Sequence, residues 1–447
     1  MKKRILCVAM IIALTVSAAG CSSASDYSVT NADEPAVNGL FAADTKGAAF
    51  DGEAVDGGDA YTVEEAAAAD GDFAAAEADV YTAGDSADVN GTPKAATDDK
   101  AVKTRSEIEL PEAGQLTAGE WNDNENWGFF SNLVNSGTIA FPSFGIYPNN
   151  RTAVTVKDKD GSPVVNAQAR LLDSDGNVLW NSVTNKEGTA YLFNQAKTPA
   201  VSVEIESGGK KQSYELSDSK SNEQTDKNTS SKVLDVTFDG KGELYKNTDI
   251  MFIVDATGSM GDEMLFLQSE FTAITQAIGT DNTRYSVNFY RDEGEEYVTK
   301  CSDFTSDVKE LQKKLNNEEA EGGGDYPEAV ADILKETIFD GGWKDDSVKL
   351  AFLIFDAPPH TGKDAEILSA VEEAAKKGIR IVPVVASDGD RDTELFGRSL
   401  AITTGGDYVF LTDDSGIGNS HTEPIIGSYD VRKLYDIIID IVNDYKQ

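Results

Sequence analysis

From Asp249 to the C-terminus the chain alternates between unbroken apolar runs and longer stretches with apolar residues at helical spacing. The runs IMFIV, YSVNFYR, VKLAFLIF and IRIVPVVA have strand length, and the third is long and uninterrupted, as in a strand covered on both faces. Met264, Leu267, Phe271, Ile274 and Ile278 recur every three or four residues, as do Val431, Leu434, Ile438, Ile441 and Tyr445. Both sets predict helices. Strands alternating with amphipathic helices predict an α/β fold with a doubly wound, mostly parallel sheet over residues 245–447. Pro383 cannot donate to a sheet ladder, so its strand is expected near an edge or bulged.

A different pattern fills residues 151–242, where short alternating stretches are punctuated by Asp160-Gly161, Asp175-Gly176 and Glu187-Gly188. Turn signals at this cadence predict a small all-β sandwich, with VLDVTF from Val233 as its last strand. The V.V.D..G.PV.NA...L.D..G pattern between Val154 and about Leu192 resembles carboxypeptidase regulatory-like and related Ig-like modules, which implies a spacer or adhesive support and no chemistry. Residues 111–150 read as an aromatic-rich connecting segment. Trp121, Trp127, Phe129 and Phe130 should be buried there, with the intervening Asp and Asn as turn formers.

Residues 1–20 carry a Lys2-Lys3-Arg4 cluster, a short apolar stretch and then small residues, the layout of a secretory signal peptide. The following SAAGC resembles a bacterial lipobox, which implies lipid attachment at Cys21. Residues 21–110, rich in Ala, Asp, Gly and Ser, show no lasting apolar period and are expected to be a disordered acidic linker. Cys7 lies in the signal, which leaves Cys301 as the one other thiol, expected as a small core residue. The net charge of −39, from 78 acidic and 39 basic residues, argues against a nucleic-acid partner.

Candidate chemistry sits at two strand ends. Asp255 closes the first strand of the α/β region and Asp356 closes the long apolar one, which places both at the rim where open α/β sheets bind ligands. Two unpaired acids would raise each other's pKa, so either a cation neutralises them or the site is strained. A hard divalent cation suits carboxylate, hydroxyl and water oxygens.

The stretch Asp255-Ala-Thr257-Gly-Ser259 resembles the D-x-S/T-x-S motif of the von Willebrand factor type A (VWA) family, its metal-ion-dependent adhesion site. The resemblance covers about the last two hundred residues. It implies Thr257 and Ser259 as direct ligands, Asp255 acting through water and Asp356 as the acidic ligand from a later strand. Where the family has a threonine on an intermediate loop, EGGGDYPEAV puts Asp325, as in a bacterial branch with YRD and DAPPH-like segments. A further carboxylate implies tighter metal retention and a less electrophilic metal. His360 and Asp292 are candidates for a second shell. Gly322 to Gly324 lack the Lys-Ser/Thr of a phosphate loop, and NNEEAE at 316–321 reads as a solvated acidic face.

These readings predict an extracytoplasmic lipoprotein, anchored to the bacterial cell membrane, that binds a protein partner through a divalent cation. Mg²⁺ is expected first, with Mn²⁺ or Ca²⁺ as alternatives. An envelope assembly factor acting in the same cell is the second reading. A metal-dependent hydrolase is the third, and no enzyme is expected because no general base stands with a matched nucleophile.

Overall fold

A computed structural model describes residues 112–140, 144–218, 220–221, 230–324 and 326–446. The signal-like segment, Cys21, the acidic linker and Asp325 lie outside the described residues.

The first elements are β1 (Thr117–Trp121) and α1 (Trp127–Ser136). Next come β2 (Asn150–Lys157), β3 (Gln168–Leu172), β4 (Val178–Val183), β5 (Thr189–Phe193), β6 (Ser202–Ser207), β7 (Lys210–Glu215), β8 (Lys220–Ser221) and β9 (Ser230–Thr237). The α/β part contains β10 (Asn247–Asp255), α2 (Gly261–Ile278), β11 (Thr283–Tyr290), β12 (Thr299–Lys300), α3 (Val308–Asn316), α4 (Val330–Asp340) and β13 (Ser347–Phe355). It continues through α5 (Asp364–Lys377), β14 (Ile379–Val385), α6 (Arg391–Thr404), β15 (Tyr408–Leu411), β16 (Arg432–Lys433) and α7 (Leu434–Tyr445).

The large sheet runs β12-β11-β10-β13-β14-β15-β1-β16. Its five central strands, β11 to β15 in that order, are mutually parallel, and β12, β1 and β16 pair antiparallel at the two sides. Every residue of β13 is buried, as its uninterrupted apolar run requires of a strand covered on both faces. Met264, Leu267, Phe271 and Ile274 of α2 are buried against the sheet together with Leu434, Ile438 and Ile441 of α7. Val431 precedes α7 and is exposed, and Ile437 and Val442 complete the apolar face.

Pro383 lies on an inner strand, in regular register opposite Leu353. It is accommodated because β14 pairs with β15 only from Val384 onward, so no ladder bond is lost on that side.

Residues 111–150 do more than connect. The short β15 leaves an edge that β1 covers, pairing from Ala118 opposite Leu411 to Trp121 opposite Tyr408. Beside it, the buried carboxylate of Asp123 takes two hydrogen bonds from the wholly buried Arg398 of α6, at 2.7 and 2.8 Å. Asp123 is therefore a core ion-pair partner as well as part of the turn that runs from residue 123 to 126.

Two four-stranded sheets, β5-β2-β9-β8 and β4-β3-β6-β7, face each other over a common core in which Trp180 meets Phe193 edge to face at 5.8 Å. Their hairpins share one local device. Asp158, Asp173 and Asn185 each accept backbone N–H groups two and four residues ahead, and Gly161, Gly176 and Gly188 supply the positive φ that closes each turn. This sandwich shares its core with the α/β part through α5 and α6.

Two polar expectations are corrected by burial. Cys301 is exposed and not a core residue, because it follows the two-residue edge strand β12. Local desolvation, with the Glu336 carboxylate adding to it, pushes its thiol up to about 12. Glu318 of NNEEAE is buried and bonded to Lys300 at 2.6 Å and to Arg291 at 3.4 Å, so that segment is only partly a solvated face.

Candidate metal centre

Asp255 ends β10 in register with Tyr290, the last residue of β11, and Val254 stands opposite Ile354 of β13. Asp356, the first residue after β13, is thus carried to the same carboxyl-end rim. Beyond Asp255 the backbone turns sharply, because one carboxylate oxygen, Oδ1, accepts both the N–H of Thr257 at 2.9 Å and its hydroxyl at 2.7 Å. The Thr257 Oγ1 is 3.2 Å from the Ser259 Oγ, and α2 begins at Gly261. Asp255 and Thr257 are fully buried, whereas Ser259 is exposed, so the row of oxygens leads from the core to the surface.

The remaining carboxylate oxygens, Oδ2 of Asp255 and both oxygens of Asp356, are buried without a hydrogen bond of standard geometry, and only the nearby Tyr290 and Ser259 hydroxyls help to stabilise their charge. Buried acceptors are normally satisfied, so three poorly satisfied oxygens at one rim are a donor set that a positive group would suit. Burial raises the pKa of Asp255 to about 6, partly offset by the Thr257 bonds. Burial and then the charge of Asp255 raise Asp356 to about 7. Tyr290 titrates well above its ordinary range because it is buried among Asp255, Asp356 and Glu328.

Glu263 adds a further acid. It is buried, with Oε1 accepting the Ser387 N–H at 3.1 Å and the Ser387 hydroxyl, while its Oε2 has no partner. Sequence reasoning passed over Glu263, although it stands three residues after Met260 and four before Leu267 on the buried stripe of α2. A carboxylate inside an apolar stripe was the available signal. Tyr290 and Glu328 carried no comparable mark.

The glycine loop packs against this turn through Gly258 N–H to Gly322 O at 3.1 Å and Glu321 N–H to Ala256 O at 3.0 Å. Asp325 is one residue beyond the loop and outside the described residues. His360 Nε2 is 2.5 Å from Asp292 Oδ1, so this pair holds the loop after β13 to the one after β11. Cys21 lies outside the described residues.

The donors fit a hard cation. Among the described residues no three His, Cys, Asp or Glu side chains converge as a ready-made metal cluster, so a cation here would rest on carboxylates and hydroxyls together. An oxygen-only set favours Mg²⁺, Mn²⁺ or Ca²⁺ over softer metals.

Residues 249–418 match the von Willebrand factor A domain family. The VWA match runs from within β10 through the loop after β15, while β1 and β16 of the same sheet, and the helix α7, lie outside it. It supports a role in protein interaction or adhesion. The chain is 26% identical over 186 residues to ariadne-like RING finger protein R811 of Acanthamoeba polyphaga mimivirus. That alignment covers 36% of this chain and 18% of R811, so the chain spans less than a fifth of its relative's length. Among solved structures, the conserved hypothetical protein BatB from Bacteroides thetaiotaomicron aligns with a TM-score of 0.33 and 13% identity, covering 44% of this chain and 98% of BatB.

Proposed function

We propose that this protein is an extracytoplasmic, lipid-anchored binding protein whose VWA domain holds a divalent cation, Mg²⁺ first, and engages a protein partner through it. Asp255, Thr257, Ser259 and Asp356 would hold the cation, with Asp325 as a further carboxylate. The observation that carries this reading is the set of unpartnered oxygens on Asp255 and Asp356 beside two hydroxyls. A bound cation supplies an electrophilic point for one oxygen of the partner.

The chain's own residues do the rest. Thr257 donates its hydroxyl hydrogen bond to Asp255 and so keeps oxygen lone pairs for a cation. Ser259, exposed at the mouth of the turn, sits where a partner would approach. The His360–Asp292 contact steadies the neighbouring loops. No catalysis is assigned, because the acids are matched to a cation and not to a nucleophile.

The test is affinity capture from detergent-solubilised membranes with Mg²⁺ or with EDTA, using wild type and Asp255→Ala. A partner retained only by wild type in Mg²⁺ is expected. A partner held equally in EDTA and by the variant would remove the metal from the account. Capture from the protein's own envelope, as against an outside surface, separates an assembly role from adhesion.

A further inference from the structure

A cleft of about 380 Å³ opens where the β-sandwich meets the amino ends of β13 and β14, at the sheet edge opposite Asp255 and Asp356. Its lining includes Arg170, Lys186, Lys349, Lys376, Lys377 and Arg380, with Asp345 as the acid among them. Six cations against one acid reverse the sign of a chain whose net charge is −39. The outer four already have carboxylate partners: Arg170 has Glu204 and Glu206, Lys186 has Glu187 and Asp444, and Lys376 and Lys377 share Glu373.

The inner two do not. Lys349 and Arg380 are only 5% and 8% exposed, yet among the described residues neither forms an ion pair. Lys349 Nζ donates to the carbonyls of Asp345 and Ser347 at 3.3 and 3.1 Å and lies over the Tyr245 ring. Arg380 Nη1 donates to the Gly378 carbonyl at 3.3 Å, its guanidinium lies 5.2 Å from the Tyr445 ring centre, and its Nε has no acceptor. Burial brings Lys349 down to about 8 against the pull of Asp249 and Asp345, with the like charge of Arg380 adding to the effect. Buried charges without counter-ions are unfavourable unless something else supplies the opposite sign. Asn181, on the sandwich wall of the same cleft, has a buried Oδ1 with no donor. That atom calls for a hydroxyl or amine hydrogen.

We infer that this cleft binds a small hydroxylated organic anion, of the sugar phosphate or sugar acid class, with its oxyanion on Lys349 and Arg380 and a hydroxyl on Asn181. A planar guanidinium beside an ammonium suits phosphate or carboxylate oxygens, and the polar lining favours a hydroxylated body over an apolar one. Because Asn181 comes from the sandwich and the two cations from the α/β sheet, the anion ties the two parts together. Its binding therefore raises the stability of both.

The experiment is thermal unfolding and calorimetric titration of the full chain with glucose 6-phosphate, glucuronate and inorganic phosphate, against sodium chloride at equal ionic strength. Glucose 6-phosphate or glucuronate is expected to raise the unfolding midpoint of wild type, and inorganic phosphate to do so more weakly. Lys349→Met and Arg380→Gln should each weaken binding about tenfold or more, the worth of a charge-assisted contact. Without anion both variants should be at least as stable as wild type, since each removes an unpaired buried charge. If neither folds, Asn181→Ala on the sandwich wall decides, with a severalfold loss of affinity for glucose 6-phosphate expected in a folded protein. No rise with any anion relative to chloride, or a rise unchanged in the folded variants, overturns the proposal.

Discussion

Asp255 and Thr257 are joined twice, through the backbone N–H and the hydroxyl of the threonine, on a single oxygen of the aspartate. The other oxygen is left buried and unpartnered. The turn thus orders the site before any ion arrives, and it does so at a cost in electrostatic stability that a cation would relieve.

That cost has a pH signature. Both Asp255 and Asp356 titrate higher in the folded chain, about 6 and about 7, than the ordinary aspartate value of 3.8. Between these limits the folded state binds more protons than the unfolded one, so the stabilising contribution is complete below about pH 4 and is lost as pH rises through 6 and 7. In EDTA the unfolding midpoint should decline across this window more steeply than in millimolar Mg²⁺. Identical pH profiles with and without Mg²⁺ would count against the linkage.

Neutralising one acid should separate stability from binding. In EDTA at pH 7.5, Asp356→Asn is expected to match or exceed wild type in urea denaturation, because it removes like-charge repulsion while keeping side-chain volume. The same variant should lose the Mg²⁺-dependent gain. A large loss of stability in EDTA would mean that Asp356 serves the fold and not an ion.

The glycine loop gives a third test. Gly323 has a φ of +74°, and a β-carbon there would come within 3.1 Å of the Thr257 side chain and 2.9 Å of Glu328. Gly323→Ala should therefore cost about 1–2 kcal/mol through the left-handed backbone. Crowding of Thr257 should also weaken Mg²⁺ affinity, measured by calorimetry. An unchanged affinity would place the loop outside the site.

Away from the rim, Asp123→Ala leaves the wholly buried Arg398 with Glu394 alone as its counter-ion and two of its N–H groups without an acceptor. A loss of about 3 kcal/mol in urea unfolding is expected, the low end for a buried pair broken on one side, because Glu394 still faces the guanidinium.

Much of the α/β fold was legible because its strands are covered on both faces and so appear as apolar runs, VKLAFLIF most plainly. Asp255, Thr257 and Ser259 were legible as a local motif, and Asp356 from the rule that strand ends share a rim. The pairing of β1 with β15 was hidden, since it joins residues some 290 apart and leaves no local pattern. Asp123 and Arg398, 275 residues apart, were hidden for the same reason. Glu263 was passed over and Glu318 misjudged because a glutamate reads as solvated until its buried partners are known. Pro383 on an inner strand was missed because the shortness of β15 decides it.

The central claim is that the rim of Asp255, Thr257, Ser259 and Asp356 takes a divalent cation. Its most direct measurement is calorimetric titration of the metal-stripped protein with Mg²⁺, Mn²⁺ and Ca²⁺, beside the variant Asp255→Ala shown to be folded by circular dichroism. One saturable site in wild type, abolished in the variant, is the predicted result. No heat of binding for any of the three ions at millimolar concentration, or the same isotherm in the variant, would contradict it.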